Sequence, residues 1–412
     1  MKKPSSTMTA VLSAGVCAAA AATALTLPWG SGAGTFAAAG PAAHQSARIS
    51  FNPPDGATGV APGQNASVSV SGGHLESVAM DPAAGGADGS GALSPDGTHW
   101  SSGGTLAPGT AYTVHAAALA GGASGTAVTQ DASFTTVPAS DVLHATVTPS
   151  DSSTVGVGMP VSVTFDKPVA VADQGTVQQH IKVTSTSGQQ VLGHWFGPNR
   201  LDFRPEAFWQ PGSKVDVQLA LGGVSAGPAA MGVQNSSEEF TVGRSQISTV
   251  DVAAKTMAVV RDGTPLKTLP VSAGSPEHAT YDGTMVISSK SLTTAMDGAT
   301  VGLLGPDGKP QYDIPDVPHA MRLTDSGTFV HGNYWAAPQV FGQEDTSHGC
   351  IGLSDVEGGK DPNTPAAWFY DNSLVGDVVI VKNSGGTAVQ PGNGLSDWNL
   401  DWSQWNDGSA AG

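Results

Sequence analysis

The residues most suited to covalent chemistry are Ser347-His348-Gly349-Cys350 and an upstream histidine, His331. Fifteen residues lie between His331 and Ser347. A cysteine thiol becomes an effective nucleophile only beside a base or a positive charge that helps to remove its proton. Histidine is the usual base near neutral pH. Residue types and spacing therefore predict a cysteine nucleophile, Cys350, that is deprotonated by His331.

The backbone around this cysteine is predicted to stabilise the negative charge that develops when a thiolate attacks a carbonyl group. Gly349 and Gly352 let the chain bend and keep bulky side chains away from a substrate. In such a turn, supported by Ser347, the N–H groups of His348, Gly349 and Cys350 can converge on one oxyanion. Since this stabilisation is usually the largest contribution to acyl transfer, the segment favours an acyl-transferring enzyme.

Together, the histidine, the interval and the Ser-His-Gly-Cys motif resemble the signature of the L,D-transpeptidases that have a YkuD-type catalytic domain. The resemblance extends over about residues 245–412. Its closing Gly394-Leu395-Ser396-Asp397-Trp398-Asn399 is similar to the actinobacterial branch, which has immunoglobulin-like amino-terminal modules. The resemblance implies that Cys350 attacks a donor stem tetrapeptide of peptidoglycan, forms a thioester and releases the terminal D-Ala. The implied acceptor is the side-chain amine of a neighbouring stem, which gives a 3→3 cross-link.

The resemblance also implies a set of substrate contacts around this pair. The predicted substrate-binding residues are Ser326, Gly327, Gly332, Tyr334, Trp335, Gly352 and Tyr312. Of these, the aromatic Tyr334 and Trp335 either line the cleft or pack beneath the loop. The family commonly has Asn or Arg where this chain has Gly352. We expect that departure to affect the rate or the donor preference and to leave the nucleophile intact.

Two further histidine roles remain open at this point. The side chain of His348 either supports the loop by a hydrogen bond or tunes the thiolate directly. A zinc site built from His319, His331 and His348 would lack the short ligand spacing of known zinc motifs, so no metal and no cofactor are predicted. The resemblance implies β-lactams, carbapenems above all, as covalent inhibitors of Cys350.

Two other functions compete with transpeptidation. An L,D-carboxypeptidase would form the same acyl-enzyme and use water as the acceptor. A catalytically weak cell-wall-binding protein would instead depend on its amino-terminal modules. The intact Ser-His-Gly-Cys motif argues against the second, whereas Gly352 favours it slightly.

Composition favours β-structure and excludes some classes of partner. Charged residues make up only 12 % of the 412 residues, and there are 54 glycines and 28 prolines. Strands of Val, Thr and Ser between Gly/Pro turns are typical of all-β modules. A net charge of −17 argues against nucleic acid or an anionic membrane surface as partner, because both are bound through Lys and Arg.

The amino terminus has the features of an export signal. Lys2 and Lys3 precede an uncharged run over residues 7–27, and Ala37-Ala38-Ala39 offers a cleavage site. Residues 1–45 are therefore a signal peptide or a retained membrane anchor with a linker, and Cys17 is an alternative lipidation site. The expected location is the extracytoplasmic side of the cell envelope, with membrane contact only through this segment. After cleavage Cys350 would be the single cysteine, so no intramolecular disulfide is expected.

The rest of the chain is predicted to be mainly β, in four parts. Residues 66–70 match 161–165 in an internal repeat of about a hundred residues, with short alternating strands typical of β-sandwiches. Two immunoglobulin-like modules are predicted at 46–140 and 141–243. A YkuD-type mixed-sheet catalytic domain over 244–383 begins with a β-meander and has His331 at a strand end. A short Trp-rich extension follows over 384–412.

Tryptophans in two regions allow different interpretations. The modules are either rigid spacers or glycan-binding domains, for which Trp100, Trp195 and Trp209 are candidate stacking surfaces. In the extension, Trp398, Trp402 and Trp405 lie at positions i, i+4 and i+7. That spacing predicts one face of a short helix, buried against the catalytic domain. The resemblance implies in addition that this tail packs back and braces the preceding modules.

Overall fold

The structure, a computed structural model, describes residues 46–83, 90–121 and 125–410. The predicted export segment and Cys17 lie outside these residues. Within the described ranges, no helix combines the length and the apolar character needed to span a membrane.

Two four-stranded sheets face each other in the first part of the chain. Their strands are β1 (Arg48–Asn52), β2 (Ala57–Val60), β3 (Ser67–Ser71), β4 (Gly73–Pro82), β5 (Gly91–Leu93), β6 (His99–Ser102), β7 (Ala111–Ala120) and β8 (Ala127–Thr136). The sheet orders are β1-β3-β6-β5 and β2-β8-β7-β4. Burial alternates along β7, as expected for a strand that turns one face to a core. Trp100 and Phe134 are among the residues that fill this core.

A second group of sheets forms the next part. Its elements are β9 (Val142–Leu143), β10 (Ala145–Thr148), β11 (Thr154–Val155), β12 (Val161–Phe165), α1 (Gln174–Gln179), β13 (Ile181–Ser185), β14 (Val191–Trp195), β15 (Arg200–Pro205), β16 (Lys214–Ala220), β17 (Ser225–Gly227), β18 (Ala230–Gly232) and β19 (Asn235–Val242). The sheet orders are β10-β12-β15-β14, β11-β19-β16-β13 and β17-β18-β9.

The three tryptophans of these modules are core residues. Trp100, Trp195 and Trp209 are all buried. The indole N–H of Trp209 donates a hydrogen bond to the Met159 carbonyl oxygen at 2.6 Å. Because none of the three presents a ring face to solvent, the prediction that they are glycan-stacking surfaces is wrong.

One nine-stranded mixed sheet dominates the remainder of the chain. The elements are β20 (Gln246–Asp251), β21 (Thr256–Arg261), β22 (Thr264–Ser272), β23 (Gly283–Val286), β24 (Ser289–Asp297), β25 (Asp313–Arg322), β26 (Phe329–Asn333), β27 (Ile351–Ser354), α2 (Pro365–Asp371), β28 (Val378–Lys382) and α3 (Trp402–Asp407). The strand order is β23-β28-β20-β21-β22-β27-β26-β25-β24. Strands β20 to β22 form the predicted meander.

Two features of this sheet matter for the site. β26 and β27 are neighbouring parallel strands in its interior, whereas most other pairs are antiparallel. Helix α2 begins at Pro365 because the Thr364 hydroxyl accepts a hydrogen bond from the Ala367 N–H, and proline suits the first helical position. The helix buries Phe369 in the core of the sheet.

The carboxyl-terminal tryptophans pack mainly against the second module, which corrects the expectation that they are buried against the catalytic domain. The indole N–H of Trp398 donates to the Gly158 carbonyl oxygen at 2.7 Å, and that of Trp405 donates to the Leu192 carbonyl oxygen at 3.0 Å. The Arg204 guanidinium, itself buried, lies over the rings of Trp398, Trp402 and Trp405 at 4.8, 5.6 and 4.3 Å. Cation–π contacts with Arg204 and hydrogen bonds to backbone carbonyl groups of the second module explain why the tryptophans pack there.

The second module and the sheet domain share apolar packing. Val286, Val378 and Leu395 belong to the same buried cluster as the core of the second module. The two parts are therefore joined by a common hydrophobic core as well as by the carboxyl-terminal segment.

Candidate active site

Adjacent strands bring the predicted base and nucleophile together. His331 lies in the middle of β26, rather than at its end as predicted, and pairs in register with Gly352 on β27. Cys350 is the residue immediately before β27. Parallel pairing in the interior of the sheet thus brings the imidazole and the thiol to the wall of one cavity.

That cavity has a volume of about 370 Å³. Its lining residues are Met296, Tyr312, Ile314, His331, Asn333, Trp335, Ala336, Val340, Thr346, Ser347, His348 and Cys350. A second cavity, of about 210 Å³, lies on the other side of Tyr312 and His348, and both of these residues line both cavities. Ser326, Gly327 and Gly349 are in the wall of the second cavity, together with His278. The loop of Cys350 therefore lies between two spaces.

The geometry of His331 suits a proton acceptor. Its side chain is buried, and Nδ1 is 2.9 Å from the Gly332 carbonyl oxygen. Because a carbonyl oxygen only accepts hydrogen bonds, Nδ1 carries the proton and Nε2 keeps a free lone pair. Burial lowers the pKa of His331, and the Gly332 carbonyl and the Asp355 charge oppose that shift. The imidazole is therefore neutral at pH 7.

The thiol of Cys350 is also held in its neutral form. Its Sγ donates a hydrogen bond to the Gly327 carbonyl oxygen at 3.5 Å. Burial raises the pKa of Cys350 to about 11, although a backbone hydrogen bond at Phe329 and the charge of Arg322 act in the opposite direction. A thiol in this environment needs a base at the moment of attack, since little thiolate is present at neutral pH.

Ser347 closes the turn that carries the thiol. Its hydroxyl donates to the Cys350 carbonyl oxygen at 2.6 Å and accepts from the Gly349 N–H at 3.1 Å. Gly349 has a φ of 112°, a conformation that glycine adopts readily and other residues rarely do. Its amide is thus engaged within the turn, which corrects the prediction that it binds the oxyanion. Within residues 125–410, the N–H groups of His348 and Cys350 have no acceptor and remain available.

The His348 side chain does not support the loop by a hydrogen bond, as one interpretation expected. Its ring contacts those of His278 and Tyr312, with centroids 4.8 and 5.2 Å away. Partial burial and the neighbouring His278 lower the pKa of His348, which keeps the imidazole neutral. In the described part of the chain the loop is instead closed by the Ser347 hydroxyl.

Three predicted substrate contacts lie outside the walls of both cavities: Gly332, Tyr334 and Gly352. The Tyr334 hydroxyl donates to Asp316 at 2.6 Å, and its ring packs edge-on against Trp335. Trp335, by contrast, is exposed at the cavity and stacks on His331 with centroids 5.7 Å apart. The two aromatic residues therefore divide the two predicted roles, since Trp335 lines the cleft and Tyr334 packs beside it.

Gly332 packs against a buried carboxylate that is hydrogen-bonded to a histidine. The carboxylate of Asp355 lies 2.7 Å from Nδ1 of His319 and accepts a hydrogen bond from the Thr364 hydroxyl at 3.0 Å. A Cβ atom on Gly332 would approach that carboxylate to 2.0 Å. Sequence reasoning missed Asp355, whose negative charge favours the protonated form of His331. His319 is committed to this pair, and the described residues contain no cluster of three or more potential metal ligands.

Gly332→Ala is expected to lower the free energy of unfolding by about 1–3 kcal/mol, because the new methyl group must displace a carboxylate that His319 holds in place. Urea unfolding of the variant measures this. Gly104→Ala is the matched control, since a Cβ there meets no atom within 4 Å. Equal stability of the two variants would show that Asp355 relaxes freely.

Comparison with known proteins agrees with this architecture. A family model described as the L,D-transpeptidase catalytic domain matches residues 245–381, and one for a bacterial Ig domain matches residues 57–225. The first match defines the class, an acyltransferase built on an L,D-transpeptidase catalytic domain.

Relatives make the assignment more specific. The chain is 34 % identical to L,D-transpeptidase 2 of Mycobacterium tuberculosis over 86 % of this chain and 83 % of that protein. It is 29 % identical to L,D-transpeptidase 5 of the same species, over 88 % of this chain and 77 % of that protein. The chain therefore belongs to the L,D-transpeptidase family. A solved structure of the L,D-transpeptidase LdtMt1 in complex with imipenem is 31 % identical, covers 57 % of this chain and 97 % of that one, and has a TM-score of 0.48.

Proposed function

We propose that this protein forms 3→3 cross-links in peptidoglycan through a thioester on Cys350. The observation that carries the proposal is the placement of Cys350 and His331 on one cavity wall, with the free Nε2 of His331 as base. His331 takes the thiol proton as sulfur attacks the carbonyl carbon of the third residue of a donor tetrapeptide. It then gives that proton to the departing amine of D-Ala.

The second half of the reaction reverses these roles. The side-chain amine of a neighbouring stem attacks the thioester carbonyl, His331 accepts its proton, and the Cys350 thiolate leaves and is reprotonated. In both halves the carbonyl oxygen carries negative charge. The unengaged N–H groups of His348 and Cys350 are the proposed donors to that oxyanion, and they act without the Gly349 amide, which Ser347 occupies.

Two cavities favour transfer to an amine over hydrolysis. The Cys350 loop lies between spaces of about 370 and 210 Å³ that share Tyr312 and His348. We propose that the donor stem occupies the larger space, which Cys350 lines, and that the acceptor stem approaches along the smaller space, which His348 and Gly349 of the same loop line. A carboxypeptidase, whose acceptor is water, needs only the first space, so the arrangement supports the transpeptidase.

Two further proposals follow for this enzyme. The amino-terminal Lys2, Lys3 and the uncharged run after them support export to the cell envelope, where peptidoglycan is found. A carbapenem presents a strained amide carbonyl, and we propose that it acylates Cys350 by the same attack that opens the donor peptide.

Mass spectrometry of a disaccharide-tetrapeptide incubated with the chain from residue 45 onward tests the main proposal. A cross-linked dimer that appears together with free D-Ala, and is absent with Cys350→Ala, is the expected result. Release of D-Ala without dimer would establish the carboxypeptidase instead. Absence of both products from folded protein would contradict the enzyme and favour a wall-binding protein.

A further inference from the structure

Asn333 is a buried polar residue in the wall of the larger cavity. It lies on β26 two positions after His331, so both side chains are on the same face of that strand. Only 6 % of its surface is exposed, and it lines the cavity together with His331 and Cys350. Its chemistry is therefore directed at whatever occupies that cavity.

One hydrogen bond defines the orientation of the Asn333 amide. Its Oδ1 accepts from the N–H of Ala336 at 3.0 Å. Only the amide oxygen can accept a hydrogen bond from that N–H, so the Oδ1 atom faces Ala336 and the Nδ2 atom faces away from it. Among residues 125–410, Nδ2 has no acceptor. This amide N–H group, on the wall of the cavity, is therefore available to an acceptor on another molecule that enters it.

Because Gly352 has no side chain, there is space beside it for the Asn333 amide. A Cβ atom on Gly352 would lie 3.5 Å from both Cβ and Nδ2 of Asn333, and 3.4 Å from the Ser272 carbonyl oxygen. These are ordinary contact distances for a methyl group. A longer side chain at position 352, however, would have to share the space with the Asn333 amide.

We propose that Asn333 positions the donor stem, with Nδ2 donating a hydrogen bond to a peptide carbonyl oxygen of that stem, and that Gly352 is required to make room for it. The inference rests on the proposed function for the identity of the ligand. A peptide carbonyl is the matching acceptor because the stem enters this cavity as an extended peptide next to Cys350. Asn333, on the neighbouring strand, thus supplies a polar side chain where Gly352 has none.

The test is a cycle of variants at positions 333 and 352. Affinity is measured by calorimetry for a free stem tetrapeptide, with the full chain carrying Cys350→Ala so that no reaction follows. Turnover is measured with Cys350 present, as kcat and KM for release of D-Ala. Asn333→Ala is expected to weaken binding and to lower kcat/KM by about 3- to 10-fold, the range of one lost hydrogen bond.

Position 352 gives a result that a merely structural role would not produce. Gly352→Asn is expected to lower kcat/KM in the native chain, because it crowds the Asn333 amide, and to raise kcat/KM in the Asn333→Ala chain, because it restores an amide to the cavity. Gly104→Asn, at a site in the first module where an added Cβ meets no atom within 4 Å, is the control for the substitution itself and is expected to leave kcat/KM unchanged. An effect of Gly352→Asn in the same direction in both chains would overturn the proposal.

Asn333→Asp separates binding from folding. This variant keeps an oxygen for the Ala336 N–H, removes the donor and adds a negative charge that repels a carbonyl oxygen, so it is expected to weaken binding at least as much as Asn333→Ala. A thermal melt checks that the variant is folded. Native affinity in both variants would overturn the inference even if cross-linking is observed. If both variants weaken affinity for the tetrapeptide, but the chain with native Asn333 and Cys350 yields neither dimer nor D-Ala, the proposed function is overturned and the inference about binding stands.

Discussion

Replacing His331 with alanine is expected to lower the rate of D-Ala release by about 10²- to 10⁴-fold while leaving the fold intact. The reason is that Cys350, with a pKa raised to about 11, contributes almost no thiolate at neutral pH. Replacing His331 removes the imidazole whose Nε2 lone pair is free at the cavity wall, and with it the proposed acceptor of the thiol proton. His99→Ala, an exposed site in the first module, is the control for loss of a histidine.

The pH dependence of this reaction has a definite sign. Burial lowers the pKa of His331 below 6.5, so the neutral base is present above that value and is lost as the pH falls through the lowered pKa. The native rate should therefore decline only on the acid side of 6.5 and stay level through pH 8 to 9, where an ordinary thiol ionises. In His331→Ala the residual rate should instead rise steadily as the pH approaches 11. A residual rate within tenfold of native, or an acid limb above pH 6.5, would contradict this account.

Trp405→Ala is expected to lower the free energy of unfolding by about 3–5 kcal/mol, the usual cost of truncating a fully buried indole. Trp405 is completely buried, and its N–H donates to the Leu192 carbonyl oxygen of β14. Its ring lies 4.3 Å from the guanidinium of Arg204 and 4.9 Å from the ring of His194. The truncation would therefore open a cavity and remove the aromatic cover from a buried cation.

Arg204 makes this loss larger than a simple cavity. Its own burial lowers its pKa to about 10, so the charge is already poorly solvated in the native state. Thermal and urea unfolding measure the effect. Trp402→Ala is the matched control, because Trp402 is half-buried and its ring is 5.6 Å from the same guanidinium. If both variants lost equal stability, cover of the cation by Trp405 would not be the cause.

Residue types and spacing were sufficient to single out Cys350 and His331, which the structure places on the wall of one cavity; their roles as nucleophile and base stay predictions. Types and spacing did not single out Asn333. The amide of Asn333 and the space beside Gly352 come together only through the parallel register of β26 and β27, in which His331 pairs with Gly352. That register depends on the whole sheet, so no local pattern could indicate it.

Two incorrect predictions have different physical origins, one local and one long-range. The Gly349 amide was expected at the oxyanion, yet the hydroxyl of Ser347, two residues away, competes for it, as serine commonly does with backbone groups. The terminal tryptophans were expected on the catalytic domain. Their partner, Arg204, lies about two hundred positions earlier in the chain and is recognisable only after folding. By contrast, the alternating strands of both modules were predicted because their periodicity is local.

The neutral state of the Cys350 thiol affects how readily this cysteine is oxidised. Peroxides and other oxidants attack the thiolate, and conversion to sulfenic and then sulfinic acid follows thiolate character and exposure. A pKa of about 11 keeps that species scarce until a substrate and His331 draw the proton away. In an oxidising compartment, to which we propose that this protein is exported, a neutral thiol is oxidised more slowly than a permanently ionised one.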